Sequence, residues 1–209
     1  MQVFEIFRSI QGETSRAGLP MWFVRLAGCD LACTYCDTPA ARDPAAGREV
    51  SVADVAVAVS ASALPWVAIT GGEPLLQAAE VNALVAALAA QGRGVLVETS
   101  GAHPIDVLDP RAVRIVDVKT PGSGMADRMH WRNLDLVAER DEVKFVLTGR
   151  EDYEWARGLV SRRRLAARTT VLFGSAAPCL EPRTLAEWIL ADALPVRLNF
   201  QVHKMLGLR

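Results

Sequence analysis

The sequence predicts an α/β fold with a mostly parallel sheet, curved into an incomplete, TIM-like (β/α)6 barrel. Three observations lead there. Short apolar runs alternate with helix-forming stretches of roughly ten to fifteen residues, the pattern of βα units. Residues 21–27 (MWFVRLA) are apolar almost without a break, as a strand buried on both faces must be. The 209 residues fall short of the roughly 250 that eight such units normally take, whereas about six fit, with a first pair of strands and a tail added. The chain therefore reads as a single domain over 1–209, with its N-terminal strand and turn and its C-terminal tail contributing to the pocket.

In chain order, residues 3–7 (VFEIF) form a strand and 9–18 a polar turn. The strand at 21–27 carries one charge, Arg25, and leads into a cysteine-rich loop. Residues 37–50 are irregular, and Ser51 is placed to cap a helix reaching 63. A strand at 66–70 (WVAIT) precedes an Ala/Leu helix at 76–90, closed by Gly92 and Gly94. Strands follow at 95–98, 113–118, 142–147, 169–173 and 196–200, with helices at 131–140, 151–166 and 182–193. Ligands of such folds lie at the C-terminal strand ends. Those ends hold Gly28-Cys29, Thr70 to Glu73, Glu98 to Gly101, Asp117 to Thr120 and Phe173 to Ser175.

Composition narrows the function. With 51% hydrophobic and 22% charged residues and a mean hydropathy of +0.18, the chain is a folded globular one. Lys+Arg 23 against Asp+Glu 24 gives no basic footprint for nucleic acid or an anionic membrane. Two Tyr and six Phe make a poor stacking platform for single strands. The start lacks a basic segment feeding an apolar one, and no run nears the roughly eighteen apolar residues of a membrane span. The expected location is the cytoplasm, where four cysteines serve as ligands or core residues rather than disulfides.

The sharpest feature is GCDLACTYCDT at 28–38, which spaces Cys29, Cys33 and Cys36 as C-x3-C-x2-C. Three thiolates on a tight loop suit an iron–sulfur cube or a zinc ion, and a chance cluster of buried cysteines is the third possibility. Structural zinc normally takes four protein ligands. Cys179, far along the chain between apolar neighbours, reads as a core residue. Three ligands leave one metal position open. On a 4Fe–4S cluster that position can take the amino and carboxylate groups of S-adenosyl-L-methionine for reductive cleavage to a radical. Arg25 needs an anionic partner if its strand is buried: a substrate carboxylate, or an internal salt bridge to Glu13 or Glu73.

The cysteine spacing, with Tyr35 before the last cysteine and GGEP after the next strand, resembles the radical S-adenosylmethionine superfamily. FRSIQGE (7–13), FVRLAGCDLACTYCDT (23–38), ITGGEP (69–74), VETSG (97–101), DVKTPGSG (117–124), DEVKFV (141–146) and QVHK (201–204) resemble the 7-carboxy-7-deazaguanine synthase family over nearly the whole chain. That resemblance implies a barrel of the radical SAM type and a 4Fe–4S cluster on Cys29, Cys33 and Cys36. It places S-adenosyl-L-methionine against Tyr35, Cys36, Asp37, Gly72, Glu98, Ser100, Val118, Lys119 and Thr120. Ile10, Gln11, Gly12, Arg25 and Thr70 would surround a pterin, and Thr38 would give an oxygen to Mg²⁺. No side chain is implied as an acid or base. The displaced proline of Gly174–Pro178 leaves that segment's contacts unassigned, as are those of Arg209.

The implied reaction is abstraction of hydrogen from C6 of 6-carboxy-5,6,7,8-tetrahydropterin, ring contraction, and loss of ammonia to give 7-carboxy-7-deazaguanine for queuosine and related deazapurines. An external electron donor such as flavodoxin and a homodimer belong to the same implication. Two rivals share parts of the pattern. A radical-activating enzyme would act on a glycine of a partner protein, and a zinc-loop module would bind nucleic acid without any use for GGEP.

Overall fold

The computed structural model describes residues 1–208; Arg209 lies outside them. Its elements are β1 (Gln2–Ile10), β2 (Pro20–Leu26), β3 (Arg48–Glu49), α1 (Val52–Val59), β4 (Trp66–Gly71), α2 (Ala78–Ala90) and β5 (Gly94–Thr99). Then come β6 (Val113–Val118), α3 (Asn133–Leu136), β7 (Glu142–Leu147), α4 (Arg150–Arg162), β8 (Thr170–Ser175), α5 (Pro182–Ala191), β9 (Arg197–Asn199) and α6 (Val202–Met205). The described strands form one sheet in the order β3-β1-β2-β4-β5-β6-β7-β8-β9. From β2 to β9 every pairing is parallel, while β1 runs antiparallel to both β2 and β3. The terminal strands β3 and β9 do not pair with each other, so the barrel stays open, as the length predicts.

The crossovers are where the short chain is trimmed. Only a 3₁₀ turn, Ile105–Val107, intervenes between β5 and β6. The helix expected over 131–140 shrinks to α3, a single turn. The turn stops at Val137, which is extended (ψ 134), and Ala138 N donates to the buried Asp141 Oδ2 (2.8 Å) instead of continuing the helix. Within the turn the Asn133 amide accepts from Ile105 N (3.1 Å) and donates to Gly101 O (3.0 Å) and His103 O (2.8 Å). The edge strand β3 is an addition that the irregular 37–50 segment did not suggest. Cys179 is exposed, correcting its reading as core. In that turn its neighbour Leu180 takes the buried position instead.

Period-2 alternation divides the sheet into two chemistries. The helix-covered face carries Val24, Leu26, Val67, Ile69, Val95, Val97, Val116, Val118, Val143 and Phe145, packed in one cluster with Leu84, Leu88 and Tyr153 of the helices. The opposite face starts as a small apolar layer of Met21, Phe23, Ala68, Leu96, Val113 and Ile115. The turn after β1 closes that end. Glu142, 1% exposed, accepts from Ser15 N (2.9 Å), Ser15 Oγ (2.6 Å) and Arg16 (2.9 Å). Further along the same strands the inner face becomes polar: Arg25, Thr70, Glu98, Asp117 and Lys144.

Candidate active site

That polar layer is the floor of a cavity of about 680 Å³. Around it stand Ile10, Gln11, Arg25, Cys29, Cys33, Tyr35, Cys36, Asp37, Thr38, Thr70, Gly72, Glu98, Ser100 and Lys119, all positions singled out from the sequence. Three others do not line it. Val118 points to the helix face and is fully buried in the outer core. Thr120 is also fully buried, its hydroxyl 2.9 Å from Asp152. Gly12 lies under the ring of His203, and its carbonyl accepts from Val202 N (2.9 Å). Gly174 to Ala177 line the cavity as well.

The GGEP turn and the cysteine loop are built against each other. A Cβ on Gly72 would sit 2.0 Å from Gly28 O, and Gly71 has φ +130 with its Cβ position 2.2 Å from Leu26 O. Only glycine admits that approach. Gly72 N and Glu73 N donate to Leu26 O (2.9 Å) and Gly28 O (2.7 Å). Glu73 is fully buried and accepts from Leu75 N (2.8 Å), Thr99 Oγ1 (2.9 Å) and Ser100 N (2.7 Å). It therefore fastens the turn to the end of β5 and is not the partner of Arg25. Nor is Glu13. Arg25 Nε donates to Glu5 Oε1 at 2.9 Å, across the register pair Glu5↔Arg25 of β1 and β2. One terminal nitrogen reaches Thr38 Oγ1 at 3.4 Å.

The three loop cysteines are free thiols, each partly exposed on the cavity. Burial pushes the Cys29 thiol up, with Glu73 and Asp30 adding to it. Burial also raises Cys33, against the pull of Lys119. Such thiols ionise when a cation holds the thiolate, which is what a metal cluster does. Among the described residues three side-chain atoms, Tyr35 Oη, Arg42 Nε and Asp117 Oδ1, are buried without any hydrogen bond. Buried polar atoms are rarely left so, and all three belong to residues lining the cavity.

Sequence reasoning missed the charged chain across the floor. Lys119 Nζ meets Asp117 Oδ2 at 2.8 Å, Lys144 Nζ lies 3.7 Å from the same oxygen, and Lys144 meets Glu13 Oε2 at 2.8 Å. Glu13 also accepts from Gln201 Nε2 (2.8 Å), and Lys204 of the tail meets Asp37 at 2.8 Å. Burial opposes the charges of Glu13, Asp117, Lys119 and Lys144, and the neighbours decide the outcome. For Glu13 burial raises the carboxyl, but Lys144 outweighs it and the net direction is down. For Lys144 burial lowers the ammonium, and Glu13, Asp117 and Glu98 carry it well up.

Glu98 goes the other way. Burial raises its carboxyl and Glu13 adds to the rise, against Lys144, Gln11 and Thr70. Its oxygens lie 3.2 Å from Gln11 Nε2 and 3.2 Å from Thr70 Oγ1. A carboxyl raised in the folded state stabilises below its ordinary 4.5 and loses that contribution as pH climbs through the folded value. Glu98→Gln, which mimics the protonated form, should therefore gain stability over wild type as pH rises from 5 to 8. Urea unfolding at the two pH values reads this directly; a difference that shrinks with pH would contradict it.

Comparison with known proteins fits this site. A model described as the radical SAM superfamily matches residues 24–117. A 7-carboxy-7-deazaguanine synthase from Chlorobaculum tepidum is 42% identical, covering 99% of this chain and 94% of its own. Those from Koribacter versatilis and Methanospirillum hungatei are 40% and 37% identical, over 99% and 100% of this chain and 96% and 86% of theirs. The fold is similar to that in the crystal structure of QueE from Escherichia coli, with a TM-score of 0.75 at 23% identity over 96% of this chain and 93% of that one. With identity of this level running from end to end, the chain belongs to the 7-carboxy-7-deazaguanine synthase family of radical SAM proteins.

Proposed function

We propose that the chain converts 6-carboxy-5,6,7,8-tetrahydropterin to 7-carboxy-7-deazaguanine with loss of ammonia. The observation that carries this is the full-length family match together with three free cysteines on the rim of a cavity whose floor is polar and charged. When bound, a reduced 4Fe–4S cluster and S-adenosyl-L-methionine supply abstraction of a hydrogen atom from carbon. The donor set suits that cluster: three thiols on the cavity, with Cys179 exposed away from it, leave one metal position for the cofactor.

Within this reading Cys29, Cys33 and Cys36 hold the cluster. Tyr35, Asp37, Gly72, Ser100 and Lys119 face S-adenosyl-L-methionine, with Tyr35 Oη and Asp117 Oδ1 available to it or to the substrate. Ile10, Gln11 and Thr70 face the pterin, and the hydrogen bonds of Glu98 to Gln11 and Thr70 move Glu98 from the cofactor to this side. The edge of a pterin presents both donors and acceptors, which a Gln–Glu–Thr cluster can match. Arg25, held through Nε by Glu5 and through Nη1 by Thr38, turns Nη2 to the substrate carboxylate. Thr38 would give one oxygen to Mg²⁺, which needs most of its six ligands from substrate and water. Gln201, His203 and Lys204 close the cavity from the tail and exclude water. A flavodoxin-type reductant, a homodimer and a cytoplasmic setting complete the proposal; among the described residues no helix is long and apolar enough to cross a membrane.

Anaerobic reconstitution tests the metal. About four irons and four sulfides per chain are expected. A fully active preparation holding one zinc and no iron would overturn the reading.

A further inference from the structure

Asp152 sits in the first turn of α4, 3% exposed, and takes more hydrogen bonds than a helix start requires. Its Oδ2 accepts from Thr148 N (2.9 Å) and Thr148 Oγ1 (2.7 Å), which ties the helix start to the residue before its N-cap, Gly149. The same oxygen lies 2.9 Å from the Thr120 hydroxyl, and Oδ1 accepts from Gly122 N at 2.8 Å. These last two donors come from the loop after β6, within DVKTPGSG, whose glycines the functional reading left without a role. Gly122 is glycine because a Cβ there would lie 2.1 Å from Thr148 Oγ1 and 2.5 Å from Asp152 Oδ2.

The other side of this loop carries the cysteine loop. Thr34 Oγ1 donates to Gly122 O (2.8 Å) and Thr34 N to Ser123 O (3.1 Å). Thr34 follows Cys33, whose carbonyl accepts from Cys36 N at 3.2 Å. The 120–124 loop is thus clamped between a buried carboxylate below and the backbone of the cysteine loop above. We propose that Asp152 is a positioning residue for the cysteine loop: through Gly122 it sets the carbonyls on which Thr34, and hence Cys33, rests. This rests on the reading of Cys33 as a cluster ligand.

The test uses the anaerobically reconstituted full chain, wild type and the variants Thr34→Val, Asp152→Asn and their combination. Thr34 is exposed, so Thr34→Val removes one bond of the strut with little else. Each single variant is expected to lose iron to a ferrous chelator roughly three- to tenfold faster than wild type, the scale of one hydrogen bond. Each should also alter the electron paramagnetic resonance shift that S-adenosyl-L-methionine induces in the reduced cluster. The combination should lose iron no faster than the quicker single variant, because both cut one strut. If Asp152→Asn lowers only the melting temperature, with iron loss and spectrum unchanged, or if the two effects multiply, the proposal is wrong. Should Asp152→Asn not fold, Gly122→Ala and Thr34→Val decide, and Thr34→Val with wild-type iron retention overturns it. Failure of the underlying reading shows separately, as wild-type protein that takes up no iron.

Discussion

Replacing Lys144 with Met is expected to destabilise the chain by about 3–5 kcal/mol at pH 7, the usual cost of removing one partner of a buried ion pair. The Lys144 side chain is 10% exposed and its partner Glu13 14% exposed, so solvent screens the pair little. Without the ammonium, Glu13 loses the cation it meets at 2.8 Å in the cavity floor, while Asp117 keeps Lys119 at 2.8 Å. For a chain of this size the melting temperature should fall by about 6–20 °C. The pH dependence carries the signature. In wild type the Glu13 carboxyl is lowered, so its contribution is present above its ordinary 4.5 and disappears as pH falls. In the variant burial, the largest influence on Glu13, and Asp37 act against the Gln201 hydrogen bond alone, so its carboxyl should rise and acid should relieve the strain. The gap between variant and wild type should therefore narrow from pH 7 to pH 5, and adding Glu13→Gln should recover part of the loss. Urea unfolding that puts Lys144→Met within about 1 kcal/mol of wild type at both pH values would dismiss the charged chain as a structural element.

Cys33→Ala is expected to abolish both cluster and product. In the proposed reading Cys33 is the middle ligand of the loop, and burial pushes its thiol up, so a bound metal would stabilise the thiolate. The only cysteine outside the trio, Cys179, is exposed on the turn before α5 and does not line the cavity, so it offers no substitute. Iron should fall to background after desalting while the chain remains folded, since Cys33 is not part of the apolar core. Retention of iron and of more than about a tenth of the activity would show that the loop is not the cluster site.

Most of the barrel is legible because its parallel strands are mostly short apolar runs, several of them separated by helix-forming stretches such as α2, α4 and α5. The cysteine loop was legible because its chemistry lies within eight residues, Cys29 to Cys36. What depends on pairing across the sheet was not. Arg25 calls for an anion, but that the anion is Glu5 follows from the antiparallel register of β1 and β2 and the irregularity between Val3 and Glu5. Lys144 belongs to the floor because the register sets it beside Asp117 on β6. A signal for it did exist. In EVKFVL the charges occupy alternate positions, Glu142 and Lys144, while Val143, Phe145 and Leu147 take the helix face, so the strand has a polar interior side. The same alternation on VRIVDVK turns Asp117 and Lys119 inward and Val118 outward. The helix expected over 131–140 stops at Leu136 for a reason no local propensity contains: the buried Asp141 takes Ala138 N together with Arg114 of β6.

The decisive measurement is product analysis on the reconstituted wild-type chain, kept anaerobic with reductant, S-adenosyl-L-methionine, Mg²⁺ and 6-carboxy-5,6,7,8-tetrahydropterin. Mass spectrometry should find 7-carboxy-7-deazaguanine accumulating in step with released ammonia, and neither should form when S-adenosyl-L-methionine is left out. Cleavage of S-adenosyl-L-methionine by a protein with a full iron complement, with the pterin recovered unchanged, would contradict the proposed function.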